Sequence, residues 1–202
     1  AIDETIPVKA ITAYVYDTFL EKLNLDFAKR EGLLFVGGFA HPPNADAVLW
    51  FAREVFPRIR EKLDVNFYVV GSRVTEEIKQ LEQPGNGIVV KGFVSETELS
   101  ELYRNCRMVV VPLRYGAGVK GKVVEALYNG APIVTTSVGS EGIPDVDSVL
   151  AVADKPEEFA DRVIRLYGDE AALCSMAEKT QEYIRRHFSM DAAWAVIQED
   201  FS

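Results

Sequence analysis

The sequence predicts a doubly wound α/β fold, with helices on both faces of a parallel sheet of about six strands. Short β-branched or aromatic runs alternate with longer helical stretches from Gly32 onward. Glycine or another turn signal follows many of the runs, as Gly37-Gly38 follows residues 33–36. Such alternation produces parallel sheets with right-handed crossovers. The common strand order 3-2-1-4-5-6 would place the first and fourth strands side by side where the order reverses, which is where ligands bind.

The predicted elements follow one another without an internal repeat. The strands are expected at residues 33–36, 67–70, 88–90, 108–111, 133–136 and 149–152. The first helix is expected to begin at Asn44, with a kink at Pro57, and the second to lie at residues 76–81. A third is expected after the capping box that begins at Ser95, and a fourth is expected to end at the stop signal Asn129-Gly130. The last three are expected at residues 157–167, 170–187 and 191–200. These elements assign residues 32–202 to one domain. Residues 1–31 stay unassigned, as a helix or a linker, because apolar spacing and β-branched runs disagree there.

Composition excludes several classes of protein. The 202 residues carry a net charge of −9 and an estimated pI of 4.8, which argues against nucleic-acid binding and against an anionic membrane surface. No apolar run approaches the roughly 18 residues of a transmembrane helix, and no secretory signal pattern opens the chain. Cys106 and Cys174 lack metal-site spacing and are expected to be small hydrophobic residues. These features predict a cytoplasmic domain.

Residues 113–124, LRYGAGVKGKVV, concentrate positive charge in this acidic chain. Arg114, Lys120 and Lys122 give a local charge of +3 with no acidic residue, directly after a strand and at the start of a helix. Three glycines in the stretch permit positive φ and a close approach of backbone to ligand. No side chain caps the helix start, and cations are favourable there only when an anion occupies the site. We therefore predict a phosphate or diphosphate site; a solvated helix start is the alternative.

Glu125 follows in the same helix, on the side opposite the apolar stripe of Val119, Val123, Val124 and Leu127. Gly121 lies one turn earlier on the same side and is expected to leave an open shelf. A carboxylate there could accept hydrogen bonds from two ribose hydroxyls. An ordinary surface glutamate is the alternative.

Three stretches, FVGGFAHPPNADAVLWF, VVVPLRYGAGVKGKVVEALYNGAPIVTT and VGSEGI, resemble the C-terminal lobe of group 1 (family 4) glycosyltransferases of the GT-B fold. The resemblance runs from about residue 33 to 201, in order and with matching spacing. It implies a Rossmann-like lobe of a retaining, metal-independent transferase. The donor would be a nucleotide-diphosphate sugar, such as a UDP- or GDP-sugar, with no further cofactor. Polysaccharide biosynthesis is the expected setting.

The resemblance also implies roles for individual residues. Lys120 and Arg114 match the position that neutralises the leaving diphosphate and are the expected catalytic residues, whereas Glu125 matches the acid that grips the ribose. Backbone at Phe93-Val94 matches the nucleobase site. The remaining expected donor-binding positions are Gly37, Gly38, His41, Asn44, Gly116, Ala117, Gly118, Ser140 and Glu141.

Two positions depart from the common pattern of that family. Many members carry a glutamate eight residues before the ribose glutamate, where this chain has Ala117. Many also have a basic residue just after the glycine of the first strand, where this chain has Gly38-Phe39. Contacts to the donor sugar would then fall to backbone amides, and His41 and Asn44 are possible polar substitutes at the first strand.

Residues 1–31 are too short to form an acceptor lobe, so an N-terminal lobe for a glycan or lipid-linked acceptor is expected to be missing, and the isolated chain to be nearly inactive. Two other functions compete with sugar transfer. A non-catalytic nucleotide-sugar-binding module is permitted by Ala117. An NAD(P)-binding oxidoreductase domain is suggested by G-x-G-x-x-G at residues 116–121, but that fingerprint should follow the first strand and here follows the fourth.

Overall fold

The computed structural model describes Lys9 and residues 11–198. Within this part of the chain, six strands form one parallel sheet in the order β3-β2-β1-β4-β5-β6, as the sequence predicts. The strands are β1 Leu33–Val36, β2 Phe67–Val70, β3 Ile88–Gly92, β4 Met108–Val111, β5 Ile133–Thr135 and β6 Leu150–Val152. β3 is two residues longer than predicted, and β5 and β6 are each one residue shorter.

The first and fourth strands are neighbours, as predicted. Leu33 pairs with Met108 and Leu34 with Val109, all in parallel register. All four residues of β4 are buried, because helices cover both faces of the sheet. A strand that is covered on both faces has an unbroken run of apolar residues. The carboxyl ends of β1 and β4 therefore open onto the same edge of the sheet.

The helix after β1 departs from the prediction at its start and in the form of its kink. It begins at Pro42 rather than Asn44, with Pro42 in the first turn, where its missing N–H costs nothing. The helix runs as α1 (Pro42–Trp50), a π-helical turn (Phe51–Val55) and α2 (Phe56–Arg60). Pro57 explains the π turn, because it has no N–H and its ring would clash with the carbonyl four residues earlier. The expected kink thus takes the form of a π bulge.

The short helix at residues 137–140 was not predicted, whereas the other helices lie close to their predicted ranges. These helices are α3 Glu76–Lys79, α4 Glu96–Asn105, α5 Gly121–Tyr128, α6 Ser137–Ser140, α7 Pro156–Tyr167, α8 Glu170–Phe188 and α9 Met190–Ile197. Ser95 caps α4, as predicted, by accepting from the Glu98 N–H at 3.2 Å. Gly130, with φ at 68°, ends α5 at the predicted stop. The predicted end of the last helix, residues 199–200, lies outside the described residues.

Residues 11–31, called here the N-terminal segment, were left open as a helix or a linker, and the structure shows no helix there. The segment is extended and pairs with the α8–α9 junction through an isolated parallel bridge between Tyr16 and Ser189. Tyr16 N donates to the Phe188 carbonyl at 2.7 Å, and Met190 N donates to the Tyr16 carbonyl at 3.1 Å. Residues 1–8 and 10, which share the predicted segment, lie outside the described residues.

Buried Arg30 fastens the end of this segment to the domain. Its guanidinium donates to the carbonyls of Asn24, Tyr103 and Cys106 at distances between 2.7 and 3.0 Å. Because these bonds occupy all three guanidinium nitrogens, Arg30 has a structural role. The segment therefore belongs to the packed domain, although its sequence shows no regular periodicity.

Neither cysteine forms a disulfide. Cys106 is buried, and burial raises the pKa of its thiol to about 12, so it is the inert hydrophobic residue that was predicted. Cys174 is half-buried. Among the described residues, the helices are all too short or too polar to cross a membrane.

Candidate anion-binding cleft

The loops after β1 and β4 meet at one cleft, as the strand order predicts. A Cβ atom on Gly37 would lie 3.2 Å from Cε of Lys122 and 3.0 Å from Nδ2 of Asn44. A Cβ atom on Gly116 would lie 3.8 Å from the Pro43 ring. Gly37 therefore approaches the start of α5, and Gly116 approaches the start of α1. Two helix starts and two glycine loops form the walls of the cleft.

The start of α5 is uncapped. Lys120 is its N-cap residue, no side chain caps the first turn, and no acidic residue lies there. Gly116 and Gly118 have φ values of 124° and 76°. The positive φ angles predicted for the glycines of this loop are therefore found at these two positions. Gly121 does not have a positive φ, because it is the first residue of α5. The free N–H groups and the helix dipole favour an anion at this point.

The two predicted catalytic cations are both engaged in ion pairs. Nζ of Lys120, which is only 8 % exposed, lies 3.0 Å from Oε2 of Glu141 and also donates to the Gly118 carbonyl. Arg114 is half-exposed and forms a two-pronged contact with the Asp46 carboxylate, with Nε at 2.9 Å from Oδ2. Their role in neutralising a leaving diphosphate stays a prediction. Each is neutralised locally by a carboxylate that is distant in sequence.

Lys122 is the cation of this stretch that forms no ion pair with any described residue. Its Nζ donates to Oδ1 of Asn44 at 2.7 Å and lies 5.9 Å from the centre of the Phe35 ring. Burial and, to a lesser extent, the nearby positive charge of Lys120 lower the pKa of Lys122 to about 8, although the negative charge of Glu125 acts in the opposite direction. The sequence analysis counted Lys122 only as charge. Lys122 lies in the first turn of α5 and contacts the loop after β1. Its place in that first turn could have identified it as a candidate site residue.

Asn44, a predicted donor-binding residue, is buried and bridges the two walls of the cleft. Its Nδ2 donates to the Gly38 carbonyl at 2.7 Å, while its Oδ1 accepts from Lys122. His41 caps α1 through its backbone geometry alone, and its side chain is exposed. Asn44 is thus the polar residue that links the β1 loop to Lys122, whereas His41 makes no side-chain cap.

Glu125 lies in the wall of a neighbouring cavity of about 680 Å³, formed by α4, α5 and the N-terminal segment. Burial raises the pKa of its carboxyl, and the Tyr103 hydroxyl and Lys122 act in the opposite direction. The prediction of an open shelf above it is wrong. A Cβ atom on Gly121 would lie 2.7 Å from the Tyr14 hydroxyl, so the shelf is covered by the Tyr14 ring. No local sequence pattern connects Tyr14 with Gly121.

The remaining predicted site residues lie at the rim of the cleft or farther out. Ser140 and Glu141 approach the start of α5, where a Cβ atom on the adjoining Gly142 would lie 3.0 Å from Val119. Ala117 is exposed in the glycine loop. The Phe93 side chain is 82 % exposed, Val94 packs against the core, and the helix that follows them contributes Glu96 to the Glu125 cavity. The predicted contact between the backbone of this loop and a base stays a prediction.

The glycine fingerprint at residues 116–121 follows β4, the fourth strand, rather than β1. Dinucleotide-binding domains carry that fingerprint after the first strand. The topology therefore disfavours the NAD(P)-binding alternative.

Residues 30–169 match the family described as Glycosyl transferases group 1. An uncharacterized 44.6 kDa protein of the cps region of Klebsiella pneumoniae is 27% identical over 172 residues, which are 82% of this chain and 44% of that protein. A mutant of TarM from S. aureus, crystallised in complex with Fondaparinux, alpha-GlcNAc-glycerol and UDP, superposes with a TM-score of 0.76 at 14% identity, over 99% of this chain and 40% of TarM.

HepE from Anabaena, in complex with UDP and glucose, superposes with a TM-score of 0.67 at 17% identity, over 88% of this chain and 49% of HepE. The chain thus spans less than half the length of each of these three proteins. At such low identities the structural likeness shows the fold, a lobe of the GT-B type. The family match covers most of the chain together with the cleft between β1 and β4, and the chain belongs to the group 1 glycosyltransferases.

Proposed function

We propose that this chain is the donor-binding domain of a retaining glycosyltransferase, and that Lys122 and the uncapped start of α5 bind the diphosphate of a nucleotide sugar. One observation carries the proposal: Lys122 is partly buried beside a helix start, and its hydrogen-bond partner, Asn44, is neutral. The family membership supplies the reaction class, and the cleft supplies the anion site.

A partly buried ammonium that forms no ion pair is costly, because burial removes its hydration. The helix dipole at the start of α5 adds positive potential at the same place. A diphosphate would offset both terms, since its oxygens accept from Lys122 and from the free N–H groups of the first turn. The local electrostatics are therefore unfavourable in the empty cleft and become favourable with an anion bound.

Lys120 and Arg114 are proposed to assist Lys122 from the rim of the cleft. Each is held by a carboxylate, Glu141 or Asp46, at the rim of the cleft. A diphosphate entering beside Lys122 competes with these carboxylates for the two cations. In sugar transfer the leaving diphosphate gains negative charge, and fixed cations lower the barrier by stabilising that charge. Three cations and a helix start can supply this stabilisation without a metal ion.

Glu125 is the candidate ribose acid. Lys122 and Glu125 lie close enough for each to favour the charged form of the other, which places an anion site next to a carboxylate that can accept two hydroxyl hydrogens. The base would extend along the start of α4, beside the backbone of Phe93 and Val94. Uridine nucleotides are the first probes to use, because UDP is bound in the TarM and HepE structures.

The acceptor side of the reaction requires a second lobe. The related proteins are more than twice as long as the matched region, which supports an acceptor lobe elsewhere in the full protein. A glycan or lipid-linked acceptor, and a place in polysaccharide biosynthesis, are consistent with a relative from a cps region. Retention of configuration is proposed from the resemblance alone.

A non-catalytic nucleotide-sugar-binding module is the second candidate. Ala117 favours it, because this exposed residue offers no carboxylate to the donor sugar. The two candidates share the diphosphate site and differ in turnover. Hydrolysis or transfer of the sugar by the full protein would separate them.

The test is calorimetric titration of UDP and of uridine into the chain and two variants. Lys122→Met should weaken UDP binding by about tenfold or more, since a charge-assisted hydrogen bond is worth about 1.5–3 kcal/mol, and should change uridine binding little. Lys62→Met is the matched control, because Lys62 is exposed just after α2 at the opposite edge of the sheet. Equal UDP affinity in wild type and Lys122→Met would refute the proposed diphosphate site.

A further inference from the structure

The Tyr103 hydroxyl is a buried polar group without a hydrogen-bond partner among the described residues. Tyr103 belongs to α4, is only 1 % exposed, and contributes to the wall of the Glu125 cavity. An orphaned buried hydroxyl costs about 1–3 kcal/mol, so its retention calls for an explanation. The half-buried carboxyl group of Glu125 lines the same cavity, and it forms no ion pair with any described residue.

The two groups already interact electrostatically. The negative charge of Glu125 contributes, after burial, to raising the pKa of Tyr103, and the hydroxyl in turn lowers the pKa of the Glu125 carboxyl. The Tyr103 ring is fixed by the core, whereas Glu125 has three rotatable side-chain bonds. Glu125 can therefore turn its carboxylate toward the phenol, whereas packing prevents the Tyr103 ring from moving toward Glu125.

We propose that Tyr103 is a positioning residue for Glu125: its hydroxyl holds one carboxylate oxygen, so that the ionised carboxylate presents the other to the hydroxyls of a ribose. This inference rests on the proposed function, because it assumes that Glu125 faces the ribose of the donor. It adds a residue from another helix, one that makes no contact with the diphosphate site. Tyr103 acts through Glu125 rather than on the substrate.

The pH dependence of binding distinguishes this role from a merely structural one. An ionised Glu125 accepts ribose hydroxyls, and a protonated one accepts them less well, so affinity should fall as the pH drops through the Glu125 pKa. Removing the Tyr103 hydroxyl removes a contact that favours the charged form, so that pKa rises and the fall in affinity moves to higher pH. The titratable groups that face Glu125 from all packed elements are Lys122 and Tyr128 of α5, Tyr103 and Glu96 of α4, and Tyr14 and Tyr16 of the N-terminal segment.

The experiment compares Tyr103→Phe with wild type, using UDP-glucose from pH 4.5 to 8 because its diphosphate does not titrate in that range. The midpoint of the acid-side loss of affinity should shift up by about one pH unit. At pH 7.5, Tyr103→Phe should also reduce the preference for UDP over 2′-deoxy-UDP. Glu125→Gln should abolish both the acid-side loss and that preference.

Folding is not expected to limit this experiment, because Tyr103→Phe removes a hydroxyl that has no partner and should not lower the melting temperature. Tyr167→Phe is the matched control: its hydroxyl accepts from the Gly32 N–H at 2.9 Å at the other edge of the sheet. It should lower the melting temperature and leave the pH profile unchanged. Superposable profiles for Tyr103→Phe and wild type, or a wild-type profile without an acid-side loss, would overturn the inference. Absence of UDP-glucose binding by wild type would instead refute the proposed function.

Discussion

Nζ of Lys122 donates a 2.7 Å hydrogen bond to Oδ1 of Asn44, across 78 residues of sequence. This bond joins the first turn of α5 to the helix that follows β1, at the point where the strand order reverses. Asn44 also donates to the Gly38 carbonyl, and this second hydrogen bond holds the Asn44 side chain in place. Asn44 in turn orients the ammonium group of Lys122. An amide can orient a cation without neutralising it, and the positive charge stays available to a ligand.

Binding of a UDP-sugar should depend on pH through Lys122. Burial lowers its pKa to about 8, and a bound diphosphate would raise it again. Affinity is therefore full below pH 8 and is lost as the pH rises, by about tenfold between pH 7 and pH 9. Calorimetry of UDP-glucose in buffers with different ionisation enthalpies should show proton uptake at pH 8. Lys122→Met should show no such uptake; an equal uptake in that variant would assign the proton to another group.

Asn44→Asp should weaken binding of UDP-glucose more than Asn44→Ala does. Both substitutions remove the hydrogen bond to the Gly38 carbonyl, but only aspartate places a counter-ion beside Lys122. The diphosphate must then displace an internal ion pair, and we expect about tenfold weaker binding than in the alanine variant, measured calorimetrically at pH 7.5. Equal affinities for the two variants would show that the neutrality of Asn44 is unimportant.

Glu141→Gln should strengthen UDP binding. The carboxylate of Glu141 now pairs with Lys120 at 3.0 Å, so its removal frees a cation at the rim of the cleft. Glu141 is half-exposed, and the gain should be modest, about two- to fivefold in Kd by calorimetry. Glu158→Gln, which breaks the exposed Lys155 pair elsewhere, is the control. Weaker UDP binding in Glu141→Gln would instead indicate that Glu141 itself contacts the donor, as the sequence suggested.

The sheet could be predicted from sequence because its signals are local. Each strand contains a short run of mainly apolar residues, many of these runs end at a turn or a glycine, and parallel strands joined by helices have few allowed orders. The helix stop at Gly130 and the kink at Pro57 are likewise set by the residue present. The sequence does not reveal that this kink takes a π-helical form, nor that Phe51, at the start of the π turn, packs against Phe67 and Phe159.

The electrostatics of the cleft could be predicted only in outline. The sequence located the positive charge in residues 113–124 but not the carboxylates that pair with it, because Asp46 and Glu141 come from other loops. Lys120 and Lys122 are two residues apart, yet the first is the N-cap residue and turns toward Glu141, whereas the second lies within α5 and points to β1. The direction in which each lysine points is a consequence of the helix boundary, and the sequence marks boundaries within a glycine-rich stretch poorly.

The contact between Tyr14 and Gly121 should appear as a coupling energy. Alanine at Gly121 would be favoured within a helix by up to about 1 kcal/mol, but its Cβ would lie 2.7 Å from the Tyr14 hydroxyl. Gly121→Ala should therefore stabilise the domain in a Tyr14→Ala background and be neutral or destabilising in wild type. A double-mutant cycle from urea unfolding should give a coupling of about 1 kcal/mol.

Gly130→Ala is not a suitable control for this cycle, because φ at Gly130 is positive. Gly168→Ala serves better, since that residue ends α7 with a φ of −87°, and a Cβ atom there would meet nothing closer than 3.9 Å. Its effect should be the same with and without Tyr14. Additive effects of Tyr14→Ala and Gly121→Ala would mean that the N-terminal segment does not rest on α5 in solution, and the wall that this segment gives to the Glu125 cavity would then be absent.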